Sequence, residues 1–201
     1  MITLVIIGVI AAITVPTLIN KMQREEVETK LKRFYSVMNQ AMLSSKLENG
    51  DYSTWEWSLI DSTYEHKKEF FDKYLKKHLK YMKVEQDTEM NRLVVYMVDG
   101  SIFSIDGDKD VRYFTRSNKK DNPTWGRNAF WFKIFPGSTN PYYKNKGFET
   151  YAYTWNGTIE GAKDPSNNYG CYNPGSERGR HLCSRLIQAN SWKIPDDYPW
   201  L

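Results

Sequence analysis

The stretch MITLVIIGVIAAITVPTLI at residues 1–19, followed after Asn20 by KMQREEVETKLKRFYSVMNQAM at 21–42, decides the fold. The first part carries no charged side chain. At about 1.5 Å of rise per residue a helix of that length reaches across a bilayer, so the first reading is a membrane anchor. Gly8 and Pro16 both loosen a helix. No turn signal separates the apolar part from the charged part after it. In 21–49, Val27, Leu31, Phe34, Met38, Ala41 and Met42 recur at three- and four-residue spacing and share one face. Arg24, Glu25, Glu28, Lys32 and Lys46 fall largely elsewhere. Asn49-Gly50 is the stop, since both tolerate a left-handed cap. One continuous helix is therefore expected from the first residues to about Glu48, uncharged in its first part and amphipathic in its second.

Working outward, 201 residues suit one anchor, at 1–19, an amphipathic continuation at 20–49, and a globular head at 50–201. Mean hydropathy is −0.65, and the next apolar run, 93–98, is far too short to span, so one membrane pass is the limit. A secretory signal has a basic stretch before its apolar run and a turn after it. Neither is present, which leaves a cleaved signal peptide as the lesser alternative.

In the head, 51–60 (DYSTWEWSLI) reads as a loop. Ser62 and Glu65 have capping-box spacing, and a lysine-rich helix is expected to run to about Met82, with Tyr64, Phe71, Tyr74, Leu75, His78 and Met82 inward. The period then changes. RLVVYMV at 92–98 and SIFSI at 101–105 read as two strands joined at Asp99-Gly100, a two-residue hairpin signal. Residues 106–128 are polar and turn-rich, AFWFKIF at 129–135 is a third strand, 151–155 a short fourth, and 182–189 a short helix. The class is α+β, with a long N-terminal helix packed on a small antiparallel sheet.

Two cysteines, Cys171 and Cys183, lie close together near the C-terminus. In an exported domain such a pair reads as one disulfide, stabilising the fold by about 3 kcal/mol in the chain-entropy model. In a cytosolic protein the pair would be free thiols. His181 adds a third soft ligand, but structural zinc needs a fourth.

The net charge of +4 is mild, but it is concentrated in Lys67, Lys68, Lys73, Lys76, Lys77, Lys80 and Lys83. A solvated helix face explains these lysines, and a nucleic-acid or anionic-headgroup footprint is the sharper alternative. Asp106, Asp108 and Asp110 alternate like the first half of a calcium loop. The glycine and glutamate that an EF-hand requires further on are missing, which leaves a simple calcium site or a solvated turn. No Gly-x-Ser-x-Gly, His-Glu-x-x-His or phosphate-cradling glycine loop occurs, so no enzyme is expected and no cofactor beyond that calcium.

TLVIIGVIAAITVPTLIN at 3–20, with Gly8, the Ala11-Ala12 pair and Pro16, resembles the N-terminal segment of the type IV pilin and type II secretion pseudopilin superfamily. DGSIFSIDGDKD at 99–110, GRNAFWFKIFP at 126–136 and GCYNPGSERGRHLCSRLIQANSWKIPDDYPW at 170–200 look like the head of a bacterial pilin-like group. The resemblance implies a prepilin-type precursor, cleaved and N-methylated, with a basic leader and a glutamate near the mature N-terminus. None of these features is in the sequence as it stands, so the native product is expected to begin upstream of Met1. The resemblance further implies a filament subunit (pilus or secretion pseudopilus), anchored by one pass in the bacterial inner membrane before assembly and then part of a cell-surface or periplasmic filament. Its partners would be copies of itself, related subunits, prepilin peptidase and an inner-membrane assembly platform. Small residues at Gly8, Ala11 and Ala12 would let helices approach, and the segment to Pro16 would stretch or melt during assembly. The alternatives are a DNA-uptake or adhesion pilin that uses the lysine cluster, and a single-pass membrane enzyme.

Overall fold

A computed structural model describes residues 2–60, 63–89, 91–134, 140–175 and 180–201, with side chains from Thr14 onward. Helix α1 runs Ile2–Asn49 without interruption, with Pro16 inside it. It stops at the expected place, where Gly50 takes φ +82°. The anchor residues Gly8, Ala11 and Ala12 lie outside the described side chains.

After two 3₁₀ turns, Tyr52–Thr54 and Trp57–Leu59, comes helix α2, Tyr64–Tyr74. Its N-cap is Thr63, whose hydroxyl accepts from the His66 N–H, one position later than the capping-box spacing suggests. Six strands follow: β1 Tyr81–Asp87, β2 Arg92–Met97, β3 Ile102–Ile105, β4 Asp110–Phe114, β5 Ala129–Ile134 and β6 Phe148–Thr150. They form one antiparallel sheet in the order β1-β2-β3-β4-β5-β6, a plain meander. Two short helices, α3 Ile159–Lys163 and α4 Cys183–Ala189, close the chain. The architecture is α+β.

Four local expectations are corrected. The short strand expected at 151–155 lies at Phe148–Thr150 instead. The lysine-rich helix ends at Tyr74, and the chain turns through a 3₁₀ segment at Lys76–His78 so that Leu75 and Leu79 are buried. Met82 therefore sits exposed on edge strand β1. Strand β4 occupies part of the stretch expected to be loop. The β2–β3 turn has three residues, 98–100, between the paired Met97 and Ser101, with Gly100 at φ +78°.

The core sits between α1 and one face of the sheet. All six α1 residues expected inward are buried. Phe34 is the centre. Its ring stacks on Tyr113 at 4.2 Å and lies 5.2 Å from Phe132, 5.6 Å from Phe103 and 5.6 Å from Phe148. Each such aromatic pair adds about 0.5–1.5 kcal/mol beyond the area it buries. Phe103 is paired with Tyr113 across β3 and β4, and Phe132, paired with Val111, is the diagonal neighbour of Tyr113 on the same face, so the helix reads one face of the pleat.

Alternate residues face the other way, and several of them are charged. Arg92 pairs with Asp87 at 2.9 Å and Asp106 at 3.7 Å, Arg112 with Asp106 at 2.5 Å, and Lys133 with Asp110 at 2.8 Å. Beside them Trp125, Trp131 and His181 stack in series at 4.6 and 4.5 Å.

Among the described residues no helix is long and apolar enough to cross a membrane. This overturns the expected location as a single-pass inner-membrane protein. The physical reason lies in α1 itself: Lys21, Arg24, Glu25, Glu26 and Glu28 follow directly on Ile19, so a span of described residues meets charge within a few positions.

Candidate functional site

The apolar, described part of α1 that the head leaves uncovered is the candidate site. From Thr14 to Met22 every residue is exposed, and Val15, Leu18, Ile19 and Met22 are 50, 59, 47 and 61 % exposed. These four stand at i, i+3, i+4 and i+7. At about 100° per residue they share one stripe. Around the helix axis the stripe is about 140° from the face formed by Val27, Leu31, Phe34, Met38 and Met42. It is therefore not a continuation of the head-packing face. Leu43 and Leu47, at the far end of the helix, are exposed and fall within about 40° of Leu18.

The direction in which this half leaves the head is fixed by polar contacts at its base. Arg24 donates to the carbonyls of Ile194 at 3.1 Å, Leu201 at 3.4 Å and Pro195. Glu28 accepts from the Ile194 N–H at 2.9 Å and from Lys193 at 2.8 Å. On the other flank the Arg116 guanidinium grips Glu26 at 3.1 and 2.5 Å and holds its carboxyl below the usual range against the opposing effect of burial. Lys30 donates to the Thr115 carbonyl at 2.6 Å. Tyr35 meets Trp192 at 5.1 Å. Sequence reasoning missed Arg24, Glu28 and the 190–201 tail as a unit, because the acceptors are mostly backbone carbonyls about 170 residues away.

Two clefts run along the flank of α1 and share Arg33 and Asp99. The first, about 420 Å³, begins at Met22 and Glu25. The second, about 340 Å³, has Phe34, Val37, Met97 and Val98 on its apolar side and Arg33 and Lys80 as cations, with His78 beside them.

Of the residues singled out in the sequence, Cys171 and Cys183 are joined in a buried disulfide. His181 stands against Trp131 and Tyr151. With both thiols in the disulfide, no thiolate is left for zinc beside it. Asp106 and Asp110 face the protein's own cations, Asp108 lies on the intervening turn, and among the described residues no group of His, Cys, Asp or Glu is placed to hold a metal. Burial raises the carboxyl of Asp106 above its usual range and that of Asp110 to about 6, against the pull of their cations.

The seven lysines do not share a helix. Lys67 is buried and donates to the Asn91 carbonyl at 2.9 Å. Lys68 and Lys76 both hold Asp72, at 2.5 and 3.2 Å, Lys73 holds Glu56 at 2.7 Å, Lys77 holds Glu48 at 2.8 Å, and Lys83 pairs with Glu85. Lys80 is exposed. Most of the charge that suggested a phosphate footprint thus has a carboxylate beside it.

No curated protein and no solved structure matches the chain. A family model described as "Family of unknown function (DUF6613)" matches residues 17–201, and the chain belongs to that family.

Proposed function

We propose that this protein is a structural subunit that polymerises through α1, in the manner of the pilin and pseudopilin superfamily that its N-terminal segment resembles. The observation that carries the reading is the split in α1: one half completes the head's core, and the other presents an apolar stripe that the head does not cover. The uncharged residues 1–19, the α+β head and the C-terminal disulfide all support it. The partner is another copy of the chain or a related subunit. Its exposed helix would lie against the clefts and outer side of α1, where Leu43, Leu47, Val37 and Val98 offer apolar contact. Such a contact joins two different surfaces and leaves both free again at the ends, which generates an open filament. A peptidase and an assembly platform are partners by resemblance alone. The role is mechanical, and no residue is assigned to catalysis.

Magnitudes fit assembly rather than a tight dimer. Burying the exposed half of these four side chains releases roughly 3–6 kcal/mol. Association costs about 4–15 kcal/mol in lost freedom. One contact is therefore weak, and a helix that meets several neighbours at once is needed to hold an assembly together.

The test is sedimentation and negative-stain electron microscopy of the full chain beside a Leu18→Glu/Met22→Glu variant. Concentration-dependent polymers in the parent, absent from a variant of equal thermal stability, are expected. A parent that stays monomeric at every concentration, or a variant that polymerises equally, overturns the reading.

A further inference from the structure

A polar pocket of about 390 Å³ opens at the base of the head, where α1 emerges beside the loop after β4. It is separate from the apolar stripe and stands independently of the filament reading. Three cations line it, Arg116, Lys119 and Arg127, against the carboxylate of Glu26 and that of the final residue, Leu201.

The hydrogen bonds around it are used unequally. Its acceptors are satisfied from within. Glu26 takes Arg116, and Lys30 at 3.2 Å. The Thr115 carbonyl takes Lys30. Gln23 Oε1 takes Arg127 at 3.1 Å, and Asn128 Oδ1 takes the Thr124 N–H at 2.8 Å. These last two bonds leave the NH₂ groups of Gln23 and Asn128 as the unused ends of their amides. Lys119 has no carboxylate partner among the described residues, and the bond of Arg127 to Gln23 uses one of its five N–H groups. What remains on Lys119, Arg127, Gln23 and Asn128 is donor, and the lining holds three cations against two carboxylates. A ligand that only accepts and carries negative charge answers that inventory, and charge-assisted bonds to Arg and Lys are the strong kind.

We propose that this pocket binds a tetrahedral oxyanion, a phosphate or sulfate group, through Lys119, Arg127 and the side-chain amides of Gln23 and Asn128. The volume exceeds that of the bare ion, so the pocket has room for the group carried on a larger molecule. Such a ligand would bridge α1, through Gln23, to the loops around β4 and β5, and so brace the base of the emerging helix.

Calorimetric titration of the full chain with sodium phosphate, sodium sulfate and sodium acetate at fixed ionic strength tests this. Phosphate and sulfate are expected to bind in the millimolar range and acetate at least about tenfold more weakly. A Lys119→Ala/Arg127→Ala variant is expected to lose at least about tenfold in phosphate affinity, the equivalent of about 1.4 kcal/mol, with its melting temperature in chloride unchanged. Lys119→Glu, at a partly exposed residue, carries the same expectation should the double variant fold poorly. Three results overturn the proposal: no heat beyond the chloride control, acetate binding as well as phosphate, or variants binding as the parent does.

Discussion

The two halves of α1 are one helix with two different tasks. From Val27 to Met42 six apolar residues form a buried face, and Phe34 alone meets four other rings. From Val15 to Met22 residues of similar size stand half in water. The helix period is the same in both, so the difference lies in phase: the exposed stripe is rotated by about 140° from the buried one. A chain that only needed to stabilise its own head would have no use for the second stripe. The contrast teaches that stability and assembly can be separated along a single element, and that substitutions in the two halves should fail in different ways.

The largest expected effect is in the buried half. Phe34→Ala removes the ring on which Tyr113 stacks and should lower the unfolding free energy by about 3–5 kcal/mol in urea or guanidinium titrations. Next comes the disulfide. Replacing Cys171 and Cys183 together with serine should cost about 3 kcal/mol in the same titration, since the bridge closes a short loop in the unfolded chain. Arg24→Ala breaks the clamp between the two regions. It should cost about 1–3 kcal/mol and speed hydrogen exchange in 190–201 while leaving the exchange of β2–β5 unchanged. A clamp without energetic weight would show as unchanged exchange in the tail.

The charged face of the sheet gives a pH-dependent prediction. The Asp110 carboxyl is raised to about 6 in the fold, chiefly by burial. The folded state therefore binds a proton that the unfolded state has already lost, and this residue's contribution to stability falls as pH rises from about 4 to about 6. Asp110→Asn should remove that slope. The stability of the variant relative to the parent should rise by about 1 kcal/mol or more between pH 4 and 6.5, measured by denaturant titration at each pH. A difference that stays flat with pH would place the proton elsewhere. The smallest effect on stability belongs to the exposed half: Leu18→Ala should change it by less than about 0.5 kcal/mol.

The legible and illegible parts of this fold divide along physical lines. The buried face of α1 could be read to the residue because large apolar side chains recur at the helical period, and its end because Asn49-Gly50 is local chemistry. The β2–β3 hairpin was readable for the same reason. Strands β1 and β4 were not. DVRYF alternates charged and apolar residues as a half-buried strand does, but it is short and set in a polar, turn-rich stretch, and YMKVEQD follows without a break on the lysine-rich segment. In β4 those charges are matched only by register, Arg112 to Asp106 and Asp110 to Lys133. The partners of the lysine cluster were illegible in the same way, since Glu48 and Glu56, which hold Lys77 and Lys73, are distant in sequence. The stripe at 15–22 was visible as apolar sequence, but that the head leaves it uncovered is seen only in the fold. The Arg24 clamp left no sequence signal, because carbonyls are present at every residue.

The most direct measurement uses the chain's own cysteine content. Both native cysteines are held in a buried disulfide, so an introduced thiol is the reactive one. Full-length protein carrying Ile19→Cys is treated with a short bismaleimide, beside a control carrying Glu160→Cys at an exposed or partly exposed head position. The account predicts covalent dimers from Ile19→Cys, their yield rising with protein concentration, and monomer from the control. Monomer from both, or equal cross-linking in both, would contradict it.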